Sequence, residues 1–418
     1  MFHVLKNRSY RRLYLAQIVA LLGTGLATLA LGLLAYTIAE EHAGRVLGTA
    51  LAIKMVAYVF LGPIANAVVT YLPRKFVLVS SDLVRMMVAA FLPFVTDIWQ
   101  IYLLIFVLQA ASATFTPTFQ SLIPEVLPDE DDYTMALSLS RLAYDLEAVV
   151  SPVLASVLLL ALPSSTLFFG TAFGFASSAL LVLSCGYAAS TPQRSDQSPD
   201  FFQRIARGIL LVFRTPHLRP IVALNMAVAS VGAFVIVQTV VIVQLLWHMP
   251  EYVVAIVLGM NGAGSMASAL LLPSLLKRVS ERTVMLGGGL ALVGTAIAIV
   301  PVLSLAPRGV AIIITMVQWV VIGGAWSCVE TPVGRRIRRY VDTCDLSSVF
   351  AAQFSLQHAC WLLSYPLAGW LGAYWLIPSA GVLACISAVS VCVAYFLWPL
   401  ALDQKFVVSF DKKPRENS

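Results

Sequence analysis

Twelve long apolar segments follow one another along this chain, at approximately 13 to 39, 46 to 70, 77 to 96, 101 to 123, 134 to 162, 165 to 189, 217 to 247, 252 to 275, 284 to 304, 308 to 332, 346 to 371 and 374 to 399. Each is long enough to cross the hydrocarbon of a bilayer as a helix, which takes roughly 20 residues. A chain with so little polar sequence between such segments satisfies its backbone as a bundle of helices in lipid. Composition agrees: 59% of the 418 residues are apolar and 11% are charged, against about a quarter charged in a soluble domain. The expected fold class is all-α, a polytopic membrane protein of twelve transmembrane helices with no sizeable soluble domain. The opening MFHVLKNRSYRR has the charge of a secretory leader, but the apolar run behind it is too long and lacks a cleavage site. It reads as a retained first helix.

An even number of crossings puts both termini on one side of the membrane. On that side fall Lys6, Arg8, Arg11, Arg12, Arg74, Lys75, Arg204, Arg207, Arg214, Arg219, Lys277, Arg278, Arg335, Arg336, Arg338 and Arg339, whereas Arg45 and Arg308 fall on the other. Since basic loops stay inside during insertion, both termini are expected in the cytoplasm and the protein in the inner membrane. The net charge of +6 is then topological, and no nucleic-acid partner is implied. The six cysteines show no CxxC spacing and read as small packing residues.

The longest polar stretch, STPQRSDQSPDFFQR from Ser190, divides the chain. The expected units are a six-helix bundle over 1–189, a cytoplasmic linker over 190–216 with an amphipathic helix, a second bundle over 217–400 and a cytoplasmic tail over 401–418. In the linker Phe201, Phe202, Ile205, Ile209, Leu210 and Phe213 alternate with Arg204, Arg207 and Arg214, as in a helix lying on a leaflet. An internal repeat supports the division. Lys6 aligns with Arg214, Arg11 with Arg219, Gln17 with Asn225 and Pro124 with Pro332; after a short insertion, Ser151-Pro152 faces Tyr365-Pro366.

A charge at the bilayer centre costs at least ~2.5 kcal/mol, so embedded ionisable groups are functional candidates. The fifth segment, SLSRLAYDLEAVVSP, holds Arg141, Asp145 and Glu147. Arg141 and Asp145 are four apart and share a face, so they can pair within the helix. Glu147 is turned about 200° from Asp145 and shares its face with Ser151. A carboxylate at that depth can carry a proton, because burial favours its neutral form and a nearby cation or substrate its charged one. Glu147 is the first candidate for coupling, against a reading of all three residues as a structural knot. Lys54, deep in the second segment, either neutralises a carboxylate of the fifth or helps to bind an anion.

Asp82 and Arg85, read as near the cytoplasmic surface with Arg74 and Lys75, are candidates for a gate or a loop anchor, and Glu330 joins them at the end of the tenth segment. The acidic loop Glu125 to Asp132 and the basic loop Arg335 to Arg339 occupy equivalent places, and form either a charged latch or two solvated loops. Gln17, Gln109, Asn225, Gln238, Asn261, Gln318, Gln357 and His358 either line a central cavity or bond helix to helix. His358 with Cys360, and Glu40, Glu41 and His42, are metal ligands by type but not by spacing; no metal site and no cofactor are expected. Enzyme signatures are absent: the sequence has no GxxxxGK[ST], HExxH or GxSxG.

These residues resemble the major facilitator superfamily over essentially the whole chain. Its signature between helices two and three has a degraded counterpart in NAVVTYLPRK. There Asn66, Thr70, Tyr71 and Pro73 replace the expected Gly, Asp, Arg and Gly, while Arg74 and Lys75 are retained. The antiporter signature Gly-Pro-x-x-Gly-Gly appears as Ser151-Pro152-Val153-Leu154-Ala155-Ser156. The run TPTFQSLIPEVLPDEDDYTMALSLSRLAYDLEAVVSP, with NRSYRRLYLAQ at the start, resembles the exporter branch that includes enterobactin exporters, macrolide-efflux proteins and nickel-resistance permeases. The histidine-rich tail often found in the last of these has no counterpart in LDQKFVVSFDKKPRENS. The resemblance implies proton-coupled efflux of a metal ion, a siderophore or a drug by rocking of two bundles, with protons and lipid as further partners. A monomer is expected. The rival readings are an importer of the same fold and a non-transporting receptor or assembly partner.

Overall fold

The computed structural model describes residues 2–61, 72–127, 129–186, 201–342 and 345–399. Asn66, Thr70, Tyr71, residues 190–200 of the expected linker and the tail 401–418 lie outside them. The described chain is helical throughout: α1 Arg8–Ala39, α2 Ala43–Val56, α3 Arg74–Phe91, α4 Ile98–Val126, α5 Glu130–Leu159, α6 Thr166–Ser184, α7 Phe201–Arg214, α8 Arg219–Val241, α9 Glu251–Leu275, α10 Glu281–Leu305, α11 Arg308–Glu330, α12 Val333–Tyr340, α13 Leu346–Tyr374 and α14 Leu376–Leu397. π-helical turns extend α2 over Ala57–Leu61 and α8 over Ile242–Leu246. With α7 and the short α12 set aside, twelve long helices remain. Ten stretches of described residues are long and apolar enough to cross a membrane, and the first, Arg8–Phe60, holds both α1 and α2. The twelfth crossing is α13, which carries Gln353, Gln357 and His358 among its apolar residues.

Local chemistry fixes several helix starts. The Asn7 side chain accepts from the amides of Ser9 and Tyr10 and caps α1. Asp97 and Gln100 form a capping box on α4, and Ser280 caps α10. Hydroxyls such as Thr24, Thr28, Ser112 and Ser230 donate to the carbonyl one turn back, so they need no partner from lipid. Large apolar side chains, including Phe173, Leu270, Leu305 and Phe396, project outward, as expected where the solvent is hydrocarbon.

Within the first half, α1 packs on α5 and α6, and α3 on α4 and α6. In the second, α8 packs on α13 and α14, α9 on α11, and α10 on α11 and α14. The halves meet through α2 against α13 and α5 against α9. Pro152 inside α5 and Pro366 inside α13 stand at repeat-matched positions. Each removes one helical hydrogen bond from an interface helix.

The repeat also has a backbone counterpart. Glu40 at the end of α1 and His248 at the end of α8 both adopt positive φ, 43° and 49°. Their spacing is the one that separates Gln17 from Asn225. Side chains other than glycine are strained there, by about 1 kcal/mol. Glu40→Gly and His248→Gly are each expected to stabilise the protein by about that amount, read as a higher melting temperature in detergent; no rise, or a fall, counts against strain at these ends.

α7 docks on the start of α13. Leu211 and Val212 are buried while Leu210 and Phe213 are exposed, and Arg207 pairs with Asp345 at 2.9 Å. Gly208 permits the approach, since a methyl group there would stand 2.8 Å from the Ala352 methyl.

Candidate functional site

Call the face holding the turn Phe2–Lys6 the near face, and the one holding Glu40–His42 the far face. At the far face the halves close on each other through glycines. A methyl group at Gly48 of α2 would stand 2.6 Å from the Tyr365 carbonyl oxygen and 3.0 Å from the Gly369 Cα. Only hydrogen at these positions lets α2 and α13 come so near. The fully buried Gln238 of α8 donates to the Ala368 carbonyl at 2.6 Å, and its amide would lie 2.9 Å from a methyl group on Gly44. Trp370 Nε1 donates to Thr49 Oγ1 at 3.0 Å across the halves. The second seam is closed by α5 and α9, where Gly259 lies against Pro152 and Ser164 donates to Glu251 at 3.1 Å.

Toward the near face, the same helices present charge and aromatic rings. Lys54 of α2 and Glu147 of α5 are half-buried and act on each other electrostatically. Glu147 and Ser151 occupy the space left by Gly25 of α1; a methyl group there would lie 3.3 Å from Glu147 Cγ. Ser151 donates to the Leu22 carbonyl at 3.4 Å. The π turn of α2 presents Tyr58, whose hydroxyl lies in the fields of Tyr144, Arg85 and Glu147. From the second half, His358 stands with its ring centroid 5.5 Å from Tyr58 and 3.9 Å from Phe354, and Nδ1 lies 2.8 Å from the Phe354 carbonyl oxygen. His358 also feels Lys54. Trp361, tilted against Trp326 at 4.9 Å and Tyr365 at 5.1 Å, continues the aromatic wall. Phe354 is 43% and Tyr144 37% exposed.

Asp82 and Arg85, expected near the surface, are instead fully buried inside the first half. They pair with each other, and the Arg85 guanidinium lies between the Phe115 and Phe175 rings, 4.2 and 4.5 Å from their centroids. The sequence placed them too shallow because α3 begins at Arg74, two turns before Asp82. Arg85→Ala is expected to cost about 3 to 5 kcal/mol by stranding Asp82, seen as lost monodisperse yield. Asp82→Asn with Arg85→Met should restore much of it; a stable single variant would count against a structural pair.

Several loop charges have partners within their own half. Arg74 pairs with Glu125, Lys75 donates to the Cys185 carbonyl at 3.0 Å, and His3 meets Asp132 at 2.6 Å. Arg335 and Arg336 both engage Glu281, at 2.9 and 3.5 Å. Arg141 and Asp145 lie on α5, but their side chains are outside the described residues.

The uncharged candidates divide. Gln17 accepts from Ser140 at 3.1 Å and Asn261 donates to the Trp319 carbonyl at 3.3 Å, so both join helices within a half, as Gln238 does on the second. Gln109, Asn225 and Gln318 are buried. Gln357 donates to Glu330 at 2.5 Å and, with His358, belongs to the half-buried central face of α13. Sequence reasoning missed Tyr58, Tyr144 and Phe354, which are indistinguishable from packing aromatics until the helices are placed. It also left the far-face glycines unassigned, although the Gly44 and Gly48 spacing is a visible close-contact signal.

A family model described as Major Facilitator Superfamily matches residues 13–356. An uncharacterized MFS-type transporter, YfiS of Bacillus subtilis (strain 168), is 23% identical over 337 residues, covering 78% of each chain. Among solved structures, the nucleoside transporter NupG superimposes with a TM-score of 0.72 at 13% identity, covering 93% of this chain and 98% of that one. A POT family transporter in complex with 5-aminolevulinic acid gives 0.72 at 12% identity, covering 94% and 96%. At these identities the structures speak for the fold.

Proposed function

Because the chain belongs to the major facilitator superfamily, a family of membrane transporters, we propose that it moves a small solute by alternating access, coupled to protons at Glu147 and Lys54. The observation that carries the reading is a far-face closure beside a centre whose charges, Lys54 and Glu147, come from the first half and whose rings come from both. Such a centre, open by turns to each side, binds solute in one orientation and releases it in the other. The halves 1–189 and 217–400 are the rocking units and 190–216 joins them. The basic-loop bias assigns the near face to the cytoplasm of the inner membrane, and a single chain suffices for the site.

The exporter-like run implies efflux in exchange for protons, which requires solute and proton to compete for Glu147. Uptake with protons requires them to bind together. Purified protein in liposomes with an internal pH-sensitive dye tests the coupling, using a nucleoside, a dipeptide, an aromatic carboxylate, nickel and a cationic dye. At least one solute is expected to drive proton movement, and the sign of that movement gives the direction. A solute that crosses with no proton flux, equally in wild type and Glu147→Gln, overturns the coupling; no movement of any solute overturns transport of these classes.

A further inference from the structure

Resting on the transport reading above, we propose that the charged centre takes a small aromatic or conjugated carboxylate together with one proton. The charge balance of the cluster sets the sign. Around Glu147 stand Lys54 and Tyr58 from α2, with Tyr144 on its own helix; Arg141 and Asp145 share that helix, their side chains outside the described residues. His358 faces Lys54 from α13, Glu330 of α11 holds Gln357, and Arg85 is already paired with Asp82. The other helices packed nearby add no ionisable residue at this depth: α1 has none between Tyr14 and Tyr36, and α9 none between Tyr252 and Lys277.

With Glu147 ionised, Lys54 and Glu147 compensate each other. A cation entering then adds an uncompensated charge, and an anion does the same with opposite sign. Once Glu147 takes a proton, the Lys54 ammonium is left without its carboxylate, and in a medium of low dielectric that state is costly. A substrate carboxylate replaces the lost charge, so proton and anion bind as a pair. A cation would instead have to replace a proton lost from Lys54, the opposite linkage to pH, which the amine arm of the test below reads.

The body of the solute is set by the rings. Tyr58 of the first half meets His358 and Phe354 of the second at centroid distances of 5.5 and 6.3 Å. A flat apolar group entering beside the exposed Phe354 ring finds faces and edges to stack on from both bundles. Since proton and anion travel together, a proton gradient directed inward drives uptake, the opposite of the exchange that the exporter-like run implies.

The test is thermal stabilisation of the purified full chain by benzoate, phenylacetate and indole-3-acetate against benzylamine, phenethylamine and tryptamine, across pH 5.5 to 8 at about half-unit steps. A carboxylate is expected to stabilise and its amine not, with apparent affinity falling by about tenfold per pH unit once Glu147 is ionised. Calorimetry in two buffers of different ionisation enthalpy should show uptake of about one proton per carboxylate. Glu147→Gln should bind the carboxylate with no pH dependence; Lys54→Gln should lose binding and Lys54→Arg regain it. Stabilisation by the amines, carboxylate binding without proton uptake, or no carboxylate effect in a folded protein each overturns the proposal. If carboxylates bind with a proton but none crosses a liposome membrane, the transport reading fails and this one stands. If another solute is transported and carboxylates do not bind, this one alone fails.

Discussion

Leucine at position 48 is expected to abolish transport while leaving a folded protein. The Gly48 hydrogen faces the Tyr365 carbonyl oxygen and the Gly369 Cα, so four added carbons cannot be absorbed by a rotamer change. Overpacking of this kind costs about 1 to 3 kcal/mol. On the alternating-access reading proposed above, the cost falls on the far-closed arrangement, the one in which α2 and α13 touch at these glycines. The far-open form gains by the same amount, about 5- to 150-fold in population. Transport should drop to background, and a cysteine at Ala52, one turn deeper on the same face of α2, should become reactive toward a membrane-impermeant maleimide from the far side. Gly369→Leu should do the same from the partner helix. Full transport with an unreactive Ala52→Cys would show that the glycine seam does not gate.

Glu147→Gln is expected to remove proton-driven accumulation altogether and to spare counterflow, the exchange of labelled for unlabelled solute. The amide keeps the shape that fits against Gly25 but cannot ionise. Lys54 then meets a permanently neutral neighbour, the electrostatic equivalent of protonated Glu147. Alternating access with bound solute needs no change of protonation, so counterflow should persist near the wild-type rate and lose its dependence on pH. Accumulation against a gradient requires the proton to leave and return, and should fall to the leak. Retained accumulation would move the coupling role to another carboxylate, with Glu330 and Asp145 next in order.

Much of this was legible in the sequence. Apolar length fixes the number of crossings, because a helix in hydrocarbon has a minimum span. The linker and the repeat are expectations from order alone; the two positive-φ residues, Glu40 and His248, stand at the spacing of that repeat. Glu147 and Lys54 stood out because ionisable groups are rare where insertion is costly. The depth of Asp82 and Arg85 was misread, since a polar-looking first turn of α3 hides how far that helix starts below the loop. The acidic and basic loops are complementary as strings, and Glu125, Arg335 and Arg336 each have a partner within their own half that order along the chain does not reveal.

What the sequence by itself determined is thus what one-dimensional cost sets: the helices, their approximate number and which few embedded charges to propose a role for. Tertiary structure alone decided which groups meet. Lys54 and Glu147 are far apart in the chain and on different helices, and only the packing of the bundle places them in one another's field and in those of Tyr58 and His358. The glycine seam has the same origin. A missing side chain becomes a contact only when a second backbone arrives to use the space, and that arrival is a property of two packed bundles rather than of either segment.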